Sequence, residues 1–459
     1  MTDLKTHPAS FRDPAGFVFE HEKKFYRQVN QCYADQYETF KQSGLYDQLV
    51  NEKKLLAHVE LEKKLILSDG GYKTLLPEQL GFISYPYEWC FEQWKDAALL
   101  TLELVRKSME RGMILKDASP FNIQFIENKP VFIDTLSFEK YDETKPWIAY
   151  RQFTECFLAP LLLAKYHSPE LLNIFSLYPQ GIPLQLVAKL LPGKSIFNAN
   201  VFLHINLPGR VAKNYAKSSK ENIRFTKKKL SSIISNLESF VKSVHLTPAL
   251  TTWNNYYEET VLSNVYVEEK IKIVGQWLKE TPGNSVLDIG TNTGLFAEAA
   301  AAAGKFTIAI DGDVTCIDRL YIACRQKGIR NLIPLCVDIT NPSPAIGWDN
   351  AERTSFLSRA NADITMALAV IHHLAIGKNI GFEQMAATFS KLSRYLIIEF
   401  IPKSDPKVML LLQEREDVFI HYNEAYFVEV FSQRFDVLSR LVIHGTERII
   451  FLMKGILQQ

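Results

Sequence analysis

The chain has 459 residues, 47% of them hydrophobic and 22% charged, with 52 Lys and Arg against 51 Asp and Glu. That length exceeds one ordinary hydrophobic core and predicts two domains, while a formal net charge of +1 excludes a strong global field for nucleic acid or membrane. The polar first residues lack a signal-peptide apolar stretch, no apolar run is long enough to span a bilayer, and six scattered cysteines without a C-x-x-C pair suggest reduced cytoplasmic thiols rather than zinc or a disulfide framework.

Residues 1–140 mix amphipathic helical stretches with a few short strand-like runs. Residues 92–113 (EQWKDAALLTLELVRKSMERGM) space their apolar side chains for a helix that stops at Gly112. Next comes ILKDASPFNIQFIENKPVFIDTLSFEKY, in which Asp117 and Asn122 stand five apart and a strand-like run ends in Asp134. This loop resembles the D-x-x-x-x-N loop and following Asp of kinases and aminoglycoside phosphotransferases. The resemblance implies Asp117 as a base, with Asn122 and Asp134 holding magnesium. Upstream, no glycine-rich phosphate loop and no Lys–Glu pair is legible, and Lys116 stands where those families often place Arg or Gly. The half therefore reads as kinase-like in shape without the activity. The plainer alternative is a helix–strand element with Asp117 capping a turn.

Residues 147–245 read as mostly helical. The lysine-rich stretch 210–244 reads as a solvated helix pair bridging domains rather than a nucleic-acid site. The pattern breaks near 245–255. The expected domains are 1–250, an α+β and largely helical accessory domain of kinase-like shape, and 251–459.

From residue 284 strands and helices alternate, which predicts an α/β domain around a mostly parallel sheet. The strands are read at 285–290, 306–311, 332–338, 363–370, 395–401, 435–443 and 448–454. The last two are joined by HGTE, too short for a parallel crossover, so they form an antiparallel hairpin. The first strand ends in Asp288 and a G-x-x-x-G turn, Gly290 to Gly294, at a helix N-terminus. A pyrophosphate site would use G-x-G-x-x-G instead, and Asp288 would repel it. Asp311 ends the second strand, where a carboxylate can accept from both ribose hydroxyls. Asp338 ends the third, where it can take an adenine amine or cap a turn with Asn341 and Pro342. The ligand so described is a nucleoside without phosphates, compatible with positive charge.

The ordered motifs VLDIGTNTG, AIDGD, CVDIT, ALAVIHHL and YLIIEFIP resemble those of class I S-adenosylmethionine-dependent methyltransferases. More narrowly, NPSPAIGW, LAVIHHLAIG and LIIEFIPKSDP are similar to the NoeA-like nodulation methyltransferases. The resemblance implies a seven-stranded Rossmann-like sheet, with six parallel strands plus an antiparallel hairpin strand, binding S-adenosyl-L-methionine. It implies that Gly290, Thr291, Asn292 and Gly294 pack the methionine moiety and that Asp288 sits by its amino group. Asp311 would hold the ribose, Asp338 and Ile339 would frame the adenine, and Ala369 to His372 would floor the sulfonium. Asn292 replaces a glycine common in the family, and Asn tolerates unusual backbone angles.

Methyl transfer requires positioning and, for a hydroxyl acceptor, proton removal. His372, His373 and Glu399 follow strands four and five, where this fold places the acceptor. One histidine is expected to face the site, with His372 preferred over His373. Glu399 would anchor a hydroxyl-rich acceptor or pair with an arginine. In the loop 341–353 (NPSPAIGWDNAER), Trp348 is expected to pin the loop to the core in preference to stacking on a sugar, and Arg353 and Arg359 to make salt bridges in preference to binding an anionic substrate. The loop follows strand three, unlike that of adenine N-methyltransferases, which argues against nucleic-acid base methylation, and the resemblance to the nodulation family implies a small-molecule or carbohydrate acceptor. Two rival readings are a bifunctional enzyme using ATP and magnesium at Asp117, Asn122 and Asp134, and a non-catalytic nucleoside-binding scaffold.

Overall fold

The computed structural model describes residues 5–62, 65, 70–211, 226–246, 264–413 and 417–456. The chain folds into two compact units, Met1–Pro248 with Ala345–Thr354, and Ala249–Pro344 with Ser355–Gln459. The interrupting stretch 247–263 and part of the lysine-rich segment, 212–225, lie outside the described residues.

In unit 1, β1 (Lys5–Thr6), β2 (Gly16–His21), β3 (Lys24–Asn30), β4 (His58–Glu60) and β5 (Gly71–Pro77) form an antiparallel sheet in the order β1-β2-β3-β5-β4. The β2–β3 hairpin turns on Glu22 and Lys23, both at positive φ, the two-residue turn whose twist suits paired strands. Unit 1 is thus richer in strands than the helical reading of 1–250. Polar residues break the alternation of its strands. Gln28, for example, is fully buried in β3, so the period-2 signal is weak.

Helix α1 (Phe91–Glu110) buries Trp94, Ala98, Leu102, Val105 and Met109 along one face and gives way to Gly112 at φ 72°. Then come β6 (Met113–Leu115), the hairpin β7 (Ile123–Ile126) and β8 (Lys129–Phe132), and β9 (Phe138–Lys140), which pairs with β6. The described part of 147–245 is helical, ending in α2 (Lys227–Ser243). Its lysines are only one face: Leu230, Ile234, Leu237, Phe240 and Val241 are buried, and it packs on α1. An amphipathic helix docked in unit 1 replaces the expected solvated bridge.

Unit 2 opens with α3 (Asn264–Glu280), followed by β10 (Ser285–Ile289), α4 (Leu295–Ala302), β11 (Phe306–Asp311), α5 (Val314–Lys327), β12 (Leu332–Cys336), β13 (Ala362–Ala367), α6 (Phe382–Leu392), β14 (Ser393–Phe400), α7 (Glu424–Phe431), β15 (Phe435–Val442) and β16 (Ile449–Gly455). The sheet runs β12-β11-β10-β13-β14-β16-β15. Strands β12, β11, β10, β13 and β14 are parallel, and β16 lies antiparallel between β14 and β15. The central strands β10 and β13 are buried almost throughout because both faces are covered. Pro334, which has no N–H to give a ladder, sits in β12 at the sheet edge. Helix α4 serves two cores: Phe296 and Ala300 join Val286, Ile364 and Ile450, while Ala297 and Ala301 meet Ala309, Leu320 and Leu332. Small alanine side chains let this helix lie close to the sheet.

Candidate functional site

Chain order reverses between β10 and β13, one neighbour leading to β11 and β12 and the other to β14. In open α/β sheets this reversal leaves a crevice at the carboxyl ends of the strands. Here it holds a cavity of about 330 Å³, lined among others by Gly290, Asn292, Asp311, Asp338, Ile339 and Ala369.

The backbone explains why these residue types stand at the rim. Gly290 has φ 71°, and a Cβ there would lie 2.6 Å from Val370 Cγ2. Its N–H and that of Thr291 both donate to the Ile310 carbonyl, 2.9 and 3.0 Å away, tying the turn to β11. Asn292 adopts φ 52°, the left-handed conformation asparagine accepts. Its N–H donates to Asp311 Oδ2 at 2.8 Å, and Asp313 N–H donates to Oδ1 at 2.9 Å. The carboxylate is thus held by backbone donors, Gly312 among them, at the cavity wall. Burial raises the Asp311 pKa against these backbone donors. Asp313 caps α5 by accepting from Thr315 and Cys316 N–H. Asp338 also lines the cavity while its Oδ1 accepts from Thr340 N–H at 2.8 Å and Oγ1–H at 2.7 Å, so it forms a turn as well.

Three sequence candidates back the rim instead of lining it. Asp288 is 2% exposed and accepts from Thr291 Oγ1–H at 2.7 Å. Burial pushes its pKa up to about 7. Gly294 starts α4 at φ 90°, where a Cβ would run into Leu320.

At the far end Ala369 holds φ 56°, an uncommon conformation for a residue with a Cβ. A wide helical turn follows at His373–Gly377, a form frequent at functional sites. This turn decides between the histidines, against the sequence preference. His373 lines the cavity and His372 does not. His372 is fully buried behind it, ring centroids 4.0 Å apart, and neither of its ring nitrogens has a hydrogen-bond partner among the described residues. Burial lowers both pKa values, with help from Lys407 for His373, which falls to about 4, and from His373, Arg448 and Lys270 for His372. Both imidazoles are therefore neutral at physiological pH.

Glu399 also departs from its expected place. It is fully buried, 2.5 Å from Lys270 Nζ, and accepts from Tyr266 O–H at 2.7 Å. Arg448 stands 3.8 Å away and binds Asp405 through two nitrogens, at 2.7 and 3.0 Å. Burial pushes Glu399 up, but Lys270 and Arg448 more than offset it and hold the carboxylate below its usual range. A carboxylate so engaged ties α3, β14 and the start of β16 to one another and does not line the cavity. Lys270 and Asp405 carried no legible signal. Arg448, a charge entering an apolar strand, was the one available clue. Lys378, at the cavity end, also went unread.

Two further groups lie in unit 1. In its segment 345–354, Trp348 is 73% exposed, contrary to the core-pinning expectation. Arg353 lies over the Phe121 ring at 4.3 Å, and Thr354 N–H donates to Tyr85 OH at 3.2 Å. Of the kinase-like trio, Asn122 Nδ2 donates to Asp117 Oδ2 at 3.0 Å, while Asp134 binds the Arg27 guanidinium.

No family model matches the chain. The nodulation protein NoeA of Rhizobium meliloti (strain 1021) is 32% identical over 457 residues, covering 96% of this chain and 94% of its own. Among solved structures, the N-methyltransferase NodS from Bradyrhizobium japonicum WM9 is 13% identical with a TM-score of 0.32, over 42% of this chain and 98% of its own. Magnesium protoporphyrin IX methyltransferase from Synechocystis PCC 6803 with bound SAH is 16% identical with a TM-score of 0.33, over 44% and 92%.

Proposed function

The chain belongs to the family of the nodulation protein NoeA, and on that footing we propose that it transfers a methyl group from S-adenosyl-L-methionine to an oxygen or nitrogen of a small-molecule or carbohydrate acceptor. The observation that carries this reading is the cavity at the β10/β13 reversal with Asp311 at the end of β11. Its lining fits the cofactor: the Asp311 carboxylate for a ribose, Asp338 and Ile339 for an adenine, and an acid-lined rim. When bound, the cofactor supplies an electrophilic methyl group on a good leaving group.

The protein's own contribution is placement and proton handling. The two backbone N–H donors fix the Asp311 carboxylate before any ligand arrives, which lowers the ordering cost of binding. Gly290 lets Val370 approach the turn and close the cavity floor. His373, at the cavity wall, is the side chain we assign to take the acceptor's proton; burial keeps it neutral and at the same time makes it a weaker base than a free imidazole. His372 behind it is a positioning residue, in ring contact with His373. Calorimetric titration with S-adenosylmethionine tests the reading. Saturable binding is expected in the wild type, with at least a tenfold loss in Asp311→Ala. Absence of binding to the folded wild-type protein would refute it.

A further inference from the structure

The cluster around Asp134 in unit 1 lies outside the methyl-transfer reading and stands independently of it. After β6 the chain passes Asp117 and Asn122, and the β7–β8 hairpin returns it to Asp134. In phosphoryl transfer, a base carboxylate, an amide and a second carboxylate so spaced hold magnesium against a nucleotide. Magnesium needs an octahedron of oxygen ligands, one or two of them carboxylates with free lone pairs, the rest water and phosphate.

The side chains present do not meet that need. Asp134 is 8% exposed, and both its oxygens are engaged. Oδ1 accepts from Arg27 and from Leu136 N–H at 3.2 Å, and Oδ2 accepts from Ser137 Oγ–H. Asp117 is equally occupied: Oδ1 accepts from Ser119 N–H at 2.9 Å and Gln152 Nε2–H at 2.7 Å, and Oδ2 accepts from Asn122. Asn122 therefore turns its NH₂ group, not its oxygen, into the cluster. Among the described residues no group of three or more His, Cys, Asp or Glu side chains is placed to hold a metal ion. The positive charge that two close carboxylates require comes from β3, through Arg27. Lys116, next to Asp117 in the chain, is drawn elsewhere: it leans 3.6 Å from Asp13 and lies over the Tyr33 ring.

We propose that Arg27 is the resident cation of this cluster, occupying the charge-balancing place that the loop pattern assigns to a divalent ion, so that unit 1 neither holds magnesium nor transfers phosphate. A guanidinium is always charged and its fork matches a carboxylate, so the seat is filled at every physiological pH and independently of metal supply. Asp117 and Asn122 then serve as a hydrogen-bonded brace of the loop. The brace keeps the kinase-like spacing without the reaction.

The test uses the full chain with Mn²⁺ as probe, followed by electron paramagnetic resonance, and ATP with magnesium by calorimetry. Circular dichroism checks folding. Wild type should show no saturable Mn²⁺ site at millimolar metal and no heat with ATP and magnesium. Arg27→Ala should gain a single Mn²⁺ site, and Arg27→Ala with Asp134→Asn should lose it again. A wild-type Mn²⁺ site that Asp134→Asn abolishes would overturn the proposal. So would a folded Arg27→Ala that gains no site. Should Arg27→Ala not fold, Arg27→Gln, which keeps a donor without the charge, replaces it with the same two outcomes.

Discussion

His373 joins the cavity to a measurable pH dependence. Its folded pKa, about 4, lies below the ordinary 6.5 because it is buried. Below pH 6.5 the unfolded chain takes up a proton that the folded state refuses until about pH 4. Stability is therefore lost as pH falls across that window and is unaffected above it, by roughly 3 kcal/mol at the lower end. His373→Asn removes this burden. Urea melts should show the variant gaining on the wild type by up to that amount as pH drops, with a constant difference above 6.5. A gap that stays constant throughout would mean that His373 titrates freely in the folded protein. Asp288 is shifted the other way, up to about 7, and favours the fold as pH falls. The comparison between variant and wild type cancels that opposing contribution.

At the scale of elements, the Lys270–Glu399–Arg448–Asp405 quartet holds α3, β14 and β16 together in a dry setting. Buried pairs add little net stability when intact, but removing one partner strands the other. Arg448→Met leaves Asp405 without its cation and Glu399 with only Lys270, and should cost roughly 3–5 kcal/mol by denaturant titration. A loss below about 1 kcal/mol would show that water already enters the quartet. The same logic explains why Glu399 was misplaced from sequence. An acidic residue closing a buried strand looks alike whether it faces a substrate or a lysine arriving from a helix 129 residues away in the chain.

Across the whole molecule, each unit has its own core, Val29, Tyr37 and Leu136 in the first and the sheet cores in the second. Ligand binding stabilises whatever binds it, by about 2.7 kcal/mol at a hundredfold excess over Kd. Calorimetric melting should therefore resolve two transitions, of which S-adenosylmethionine raises one and ATP with magnesium raises neither. If both transitions shifted with S-adenosylmethionine, the two units would be melting as one cooperative body.

The sequence by itself determined the alternation of elements from residue 285, the acidic strand ends and the glycine turn. These are local properties: burial on both faces makes a strand apolar throughout, and a turn at positive φ requires Gly or Asn. Asp311, Asp338 and Gly290 could be named from that alone. Tertiary structure decided what depends on direction and on distant partners. It turned His373 and not His372 to the cavity through a single wide helical turn, gave Glu399 to Lys270 and Arg448, exposed Trp348, and set Arg27 upon Asp134 across 107 residues of chain. No spacing rule carries such pairings, because a side chain's charge partner is fixed by where the folded backbone brings it and not by its neighbours in sequence.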